Sequence, residues 1–244
     1  MAAPPRSADL STVKALLFDV FGTIVDWRTS VQADLAAWGA RRGVKANWQR
    51  ITDEWRGLYQ PSMEEVRAGR RAFAPLDDLH RESLETLLAR HGLDDTPEED
   101  RDYLAKVWHR LAPWPDCVPA LTRLKQRATL ATLSNGNIAL MVNLARYAGL
   151  PWDVILGAEV AQAYKPEASV YLKAAALLDL EPHQCMMVAA HNYDHHAAQA
   201  LGMRTAMIFR PTEYGPAQTT DLEATGPWDI ITDSLGGVAD ALGA

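Results

Sequence analysis

The run Val13 to Val20 (VKALLFDV) constrains the fold more than any other segment of the chain: it is short, mostly apolar, and closed by Phe21-Gly22-Thr23. It is too brief for a helix and reads as a strand buried in a parallel sheet. The next stretch of chain is helical. From about Trp27 to Leu111 apolar residues recur at helical spacing, and no convincing strand intervenes. The first strand is therefore succeeded by an inserted all-helical block, and its sheet is completed by strands from beyond that block.

Ser30 is the expected cap of a helix running to Arg42 and stopped by Gly43. Trp48, Ile51, Trp55, Leu58 and Tyr59 recur along the next helix. Leu84, Leu87 and Leu88 mark a third, ending at Gly92, and Thr96-Pro97-Glu98-Glu99 reads as a capping box that opens a fourth. Pro113-Trp114-Pro115 ends the block. Strands are then expected at Thr129–Leu133, Val154–Leu156, Met186–Ala189, Thr205–Phe209 and Ile230–Thr232. Helices alternate with them at Ile138–Ala148, Pro166–Leu178, after Ala189 as far as Gly202, and at Leu235–Leu242. This alternation predicts an α/β fold: a doubly wound, Rossmann-like parallel-sheet core from 12–26 and 112–244, with an all-helical domain, 27–111, inserted after the first strand.

Apolar residues make up 48% of the chain and charged residues 23%, a balance that supports a substantial core. The net charge is −7 and no cluster of Lys or Arg forms a stripe, which excludes a nucleic-acid or anionic-membrane surface. Cys117 and Cys185 cannot supply a disulfide framework or a four-ligand zinc site, and read as small buried apolar side chains. Met1 to Ser7 has no basic segment leading into an apolar one, and no run approaches membrane-spanning length. A cytoplasmic enzyme or binding protein is expected.

In doubly wound sheets ligands bind beyond the carboxyl ends of the strands. Four polar clusters fall there: Asp19-Val20-Phe21-Gly22-Thr23, Ser134-Asn135-Gly136, Tyr164-Lys165-Pro166, and Ala190 through Asp194. Singly, each is an ordinary turn or helix entry. Together they converge on one crevice. A carboxylate becomes a nucleophile when it is ionised, aimed and partly stripped of water, and Lys165 would keep Asp19 ionised. Ser134, the Asn135 amide and the N–H groups of Val20 and Phe21 could hold the anionic end of a substrate.

In this order, DxFGT, SNG, YKP and a distal Asp resemble the haloacid dehalogenase superfamily across essentially the whole chain, with the helical insert in the place of its cap domain. More narrowly, the chain is similar to the type II L-2-haloacid dehalogenases. Superfamily phosphatases carry a second Asp two residues after the nucleophile, where this chain has Phe21, and a Gly-Asp-x-x-x-Asp metal motif, where it has Ala189-Ala190-His191-Asn192-Tyr193-Asp194. Asp19 and Asp194 alone make a poor Mg²⁺ site, so phosphoryl transfer is disfavoured and no metal or organic cofactor is expected. The resemblance implies hydrolytic dehalogenation of short 2-haloalkanoic acids, haloacetates and L-2-halopropionate, through an aspartyl ester, giving 2-hydroxy acids. The alternatives are attack on another activated carbon beside a carboxylate, a small-molecule phosphatase, and a non-catalytic binding protein.

By the same resemblance Asp19 is the nucleophile, Thr23 the hydroxyl beside it and Lys165 its cation. Ser134, Asn135, Val20, Phe21, Tyr171 and Asn192 line the substrate pocket, Asp194 positions the hydrolytic water, and Arg56 of the Trp55-Arg56 pair meets the leaving halide. The family's Ser-Ser-Asn before the distal Asp is here Ala189-Ala190-His191, so His191 is expected to handle the water or to narrow the pocket. The resemblance also suggests a homodimer, which no sequence feature establishes. His191, His195 and His196 lack the glutamate and the third ligand of a zinc site and read as a helix-entry histidine and two partly exposed ones. Trp38, Trp48, Trp55 and Trp108 read as core of the insert. Arg67 to Leu79 reads either as a loop over the site or as an ordinary connection.

Overall fold

The computed structural model describes residues 10–244; the expectation about an export signal concerns Met1 to Ser7, which lie outside the described residues. The chain opens with β1 (Ala15–Phe18), β2 (Val25–Asp26), α1 (Trp27–Arg42), α2 (Trp48–Arg67), α3 (Leu76–Arg90) and α4 (Glu98–Ala105). Next come β3 (Ala112–Pro113), α5 (Cys117–Leu124), β4 (Thr129–Ser134), α6 (Ile138–Ala148), β5 (Val154–Gly157) and α7 (Ala158–Ala161). The chain closes with α8 (Ala168–Leu177), β6 (Cys185–Ala189), α9 (Asn192–Ala200), β7 (Arg204–Ile208), β8 (Ile230–Thr232) and α10 (Leu235–Ala241).

One sheet runs β5-β4-β1-β6-β7-β8, all parallel. β1 is central: Ala15 pairs with Thr129 on one side and Cys185 on the other, Phe18 with Thr132 and Val188. An ALLF strand with every side chain buried suits that place, since both faces of a doubly wound sheet are covered. Strand order reverses around β1, which puts the crevice at its carboxyl end, where Asp19 stands.

The insert leaves and rejoins the core through a two-stranded antiparallel ribbon, with Val25 opposite Pro113 and Asp26 opposite Ala112. That ribbon explains one correction. Asp26, not Ser30, caps α1 by accepting from the Thr29 N–H, because pairing with Ala112 sets Asp26 at the helix mouth. The Ser30 hydroxyl instead accepts from the Ala112 N–H. The predicted stop holds: Gly43 ends α1 in the left-handed region. Thr96 makes no capping box, since its hydroxyl turns back to the Leu93 carbonyl and α4 starts at Glu98 without a side-chain cap. α8 begins at Ala168 rather than Pro166, because Tyr164 to Glu167 forms the turn that presents Lys165. The short helices α5 and α7 come in addition to the elements expected from the sequence. The stretch from Arg67 to Leu79 ends α2, joins it to α3 and carries the first turn of α3.

Sheet and insert share one apolar core that runs from Leu16 and Phe18 through Phe21 and Trp27 to Trp55, Leu84 and Trp108. Trp27, Trp55 and Trp108 are each 1% exposed. Burying a tryptophan removes about 150–250 Å² from water, on the order of 4–6 kcal/mol each by area. Cys117 and Cys185 are both free and buried, as expected. Among the described residues no helix is long and apolar enough to cross a membrane.

Candidate active site

Asp19 follows β1 directly, and its N–H donates to the Val188 carbonyl of the neighbouring strand. The chain then turns sharply. Val20 O accepts from the N–H groups of Ile24 and Val25, and Gly22 N donates to Val25 O. Gly22 has φ +85°, and a Cβ there would lie 2.1 Å from a carboxylate oxygen of Glu213. Both the backbone and the packing require glycine.

Four polar side chains surround the Asp19 carboxylate or its cation. Lys165 Nζ donates to Oδ1 at 2.9 Å and the Thr23 hydroxyl to Oδ2 at 2.7 Å. His191 Nδ1 lies 3.2 Å from Oδ2, too bent for a well-formed hydrogen bond. Lys165 Nζ also donates to Asp194 Oδ2 at 2.7 Å, and the Tyr171 hydroxyl donates to Asp194 Oδ1 at 2.6 Å. The groups behind are held in turn. Thr23 accepts from the Ala190 N–H at 2.9 Å, and the Lys165 N–H donates to Asn135 Oδ1 at 2.9 Å. The strand ends at β1, β4 and β6 and the entry to α8 are thereby tied into one network.

The electrostatics reflect this network. Burial pushes the Asp19 carboxyl upward, but the Lys165 charge together with His191 and Thr23 outweighs it and holds the group well below the usual carboxylate range. Asp194 moves the other way: burial and the Asp19 charge raise it against the pull of Lys165. Burial disfavours the Lys165 cation, yet the two carboxylates raise its pKa. The network therefore keeps Asp19 as the anion.

His191 stands at the entry to α9 and is held from its far side. Its Nε2 lies 2.9 Å from Glu213 Oε2, and Glu213 is 1% exposed. Trp27 Nε1 donates to Glu213 Oε1 at 3.0 Å, and Arg56 Nη2 lies 3.8 Å from the same oxygen. Burial lowers the His191 pKa, but Glu213 and Asp19 overcome it and raise the imidazole well above its ordinary value. Glu213 is held below the usual range: its burial is outweighed by His191 and Arg56. Glu213 does not stand out in the sequence. A lone acid a few residues beyond β7 carries no motif; its position past a strand end is the one signal that could have found it.

The remaining expected site residues divide. Ser134 is fully buried, and its hydroxyl accepts from the Gly136 N–H, which leaves its own proton free to donate. Asn135 orients Lys165 and donates to the Tyr59 hydroxyl at 3.2 Å. Phe21 packs edge-on against Tyr59 and Trp108, with Val20 fully buried beside it. Arg56 stacks over Tyr59 at 4.2 Å and Trp27 at 5.1 Å. Tyr171 does not face a substrate pocket with its hydroxyl, which is bound to Asp194. Asn192 is also reassigned. Its amide donates to Asp221 and the Glu223 carbonyl and accepts from the Thr225 N–H and Trp228 Nε1, so its whole capacity holds the 221–228 loop. Arg210 is a further unforeseen part: it donates to the Thr23 carbonyl and forks onto Asp116, clamping the turn that carries Asp19.

Asp19, His191 and Asp194 place ligand atoms within 4.8 Å of one another, which is metal-site spacing. Lys165 Nζ, however, bridges the two carboxylates where a cation would sit. The three histidines do not form a zinc site: His195 bonds the Ala189 carbonyl and His196 the Thr225 hydroxyl. His195 is fully buried, not partly exposed as its helical position suggested, with its pKa pushed down to about 4 by burial.

Residues 13–202 match the family model described as haloacid dehalogenase-like hydrolase. The chain is 28% identical to the (S)-2-haloacid dehalogenase of Xanthobacter autotrophicus over 206 residues, 81% of this chain and 76% of that protein. Two solved structures are more alike. A defluorinating L-2-haloacid dehalogenase is 45% identical with a TM-score of 0.94, covering 99% of this chain and 100% of the other. A second L-2-haloacid dehalogenase is 47% identical with a TM-score of 0.93, covering 95% of this chain and 99% of the other.

Proposed function

This chain belongs to the haloacid dehalogenase-like hydrolases, and we propose that it removes halide from short 2-haloalkanoic acids by hydrolysis, giving 2-hydroxy acids. One observation carries the reading: a buried aspartate kept ionised by an ammonium ion, 2.9 Å away, in a site with no second acid at position 21. Attack on carbon requires an anion and a leaving group that needs no proton. Attack on phosphorus in this superfamily requires the acid that Phe21 replaces. The helical insert, 27–111, acts as the cap over a core of 12–26 and 112–244.

In the first step an Asp19 oxygen bonds to C2 as the carbon–halogen bond breaks and halide leaves toward Arg56. The Ser134 hydroxyl and the N–H groups of Val20 and Phe21 hold the substrate carboxylate. In the second step water attacks the Asp19 carboxyl carbon, and the ester C–O bond breaks to free the hydroxy acid. We assign the proton of that water to His191, backed by Glu213. Esterification removes the Asp19 charge from beside the imidazole, so the same histidine that is an acid in the resting site becomes available as a base. Asp194, anchored by Tyr171 and Lys165, fixes the cation between the two steps.

The test is halide release from chloroacetate, fluoroacetate and L-2-chloropropionate, with and without EDTA, and mass spectrometry of the Asp19 peptide. Fluoroacetate belongs in the panel because a 45% identical relative is defluorinating. Halide release insensitive to EDTA and an ester on Asp19 are expected. No halide from any of the three, with Asp19→Asn behaving like the unaltered protein, ends the reading.

A further inference from the structure

The catalytic set is sealed: Asp19 is 5% exposed, His191 4%, Lys165 1% and Asp194 0%. A substrate has to pass a wall to reach it. Toward the insert that wall contains Arg56. On its inner side Arg56 meets Glu213, whose other oxygen holds His191. On its outer side it lines a surface cleft of about 410 Å³ shared with Trp27, Gly57, Tyr59 and Tyr214. The guanidinium is held by stacking, by the Tyr214 hydroxyl and by a long 3.8 Å ion pair rather than by a fork of short hydrogen bonds to a carboxylate.

Two features suit the cleft to small anions. Its one carboxylate, Asp53, is neutralised by two bonds from Arg28 at 2.7 and 2.8 Å. Arg56 therefore supplies the positive charge of the cleft's lining, with its Glu213 partner 3.8 Å away on the inner side, and among the described residues its Nη1 is buried without a hydrogen-bond partner. The second feature is Gly57, an exposed residue in the middle of α2. Glycine there costs about 0.5–1 kcal/mol relative to alanine. It is not among the positive-φ glycines, and a Cβ would have nothing within 4 Å. Neither backbone nor packing asks for glycine. A larger side chain at this position would project into the cleft.

We propose that this cleft is the port through which the small carboxylate reaches Asp19 and halide leaves. Gly57 keeps it open, and Tyr214, packed edge-on against Trp27 at its rim, limits the bulk admitted. The identity of the traveller rests on the dehalogenase reading; the route does not.

Gly57→Trp tests it, with Gly57→Ala as control. Plugging the port lowers kcat/KM for chloroacetate at least about tenfold, leaves the single-turnover hydrolysis of a preformed Asp19 ester unchanged, and does not lower the Tm. Gly57→Ala stays within about twofold. Tyr214→Ala raises kcat/KM for L-2-chlorobutyrate relative to chloroacetate. A Gly57→Trp enzyme within about twofold of the original kcat/KM overturns the port.

A second measurement needs no turnover. In Asp19→Cys the thiolate displaces iodide from iodoacetate, forming a C–S bond, and peptide mass spectrometry tracks the labelling. Cys117 and Cys185 give little background, since burial pushes their thiols up to about 12 and about 11. Adding Gly57→Trp slows labelling at least about tenfold if the port is right. Equal labelling rates refute the port even in an enzyme that releases halide. Slowed labelling in a protein that releases none would refute the dehalogenase reading and leave the port standing.

Discussion

Glu213→Gln is the sharpest test of the water-handling half of the site, because it removes one charge and keeps the shape. The Glu213 carboxylate is 2.9 Å from His191 Nε2, and both groups are almost wholly buried. With charge centres about 4 Å apart and an effective dielectric of about 20, their attraction is about 4 kcal/mol. His191 is neutral when it begins to take the proton and cationic when it has it, so that attraction develops along the hydrolytic step. Losing most of it slows ester hydrolysis by on the order of 10²–10³-fold. In the proposed mechanism displacement of halide uses Asp19 and Lys165 and is affected much less. The variant should therefore release a burst of about one halide per active site and then nearly stop, with the Asp19 peptide carrying the added acyl mass. Rapid quenching, halide counting and mass spectrometry read all three quantities. Steady turnover within about threefold of the original, with no ester on Asp19, would refute the role of the pair.

The same geometry fixes further outcomes. Lys165→Met leaves two buried carboxylates without their shared cation; breaking such a pair costs about 3–5 kcal/mol, so a clearly lowered Tm and loss of the halide burst are expected. Asn192→Ala removes four hydrogen bonds to the 221–228 loop at about 0.5–1.5 kcal/mol each, so stability drops while kcat/KM changes only a few-fold; a collapse of kcat/KM at unchanged Tm would return Asn192 to the substrate pocket. With His191 as the proposed base, ester hydrolysis rises with pH as the imidazole loses its proton, and quenching at acid pH should trap more Asp19 ester than at alkaline pH. In stability the signs differ by group. Asp19 and Glu213 are held low, so their contribution is present above about pH 4 and is lost as pH falls through their folded values. His191 is held high, so its contribution is full below about pH 6.5 and is lost as pH climbs through its folded value. Urea unfolding across pH should show Glu213→Gln flattening both limbs.

Much of this was legible in the chain itself. β1, the helical insert and the later alternation are local patterns: apolar runs, helical spacing, and Gly43 closing α1. Asp19, Ser134 and Lys165 were legible for a related reason. A parallel sheet gathers its strand ends on one edge, so polar residues in those places converge whatever lies between them. Phe21 and the Ala189-Ala190-His191 run were informative through the family resemblance, since they lack the acids that the superfamily's phosphatases carry there.

The tertiary structure decided what each side chain's hydrogen-bonding capacity is spent on. Nothing near Glu213 in sequence reveals that it meets Trp27, 186 positions away, and His191, 22 away. Tyr171 and Asn192 were expected at the substrate, and the fold spends one on Asp194 and the other on a distant loop. Asp26 displaced Ser30 as a helix cap because a ribbon partner more than eighty residues on fixed the entry to α1. Periodicity and strand-end position are properties of neighbouring residues and survive in the sequence. The satisfaction of a buried polar group depends on every atom around it, and that is settled only when the chain has closed on itself.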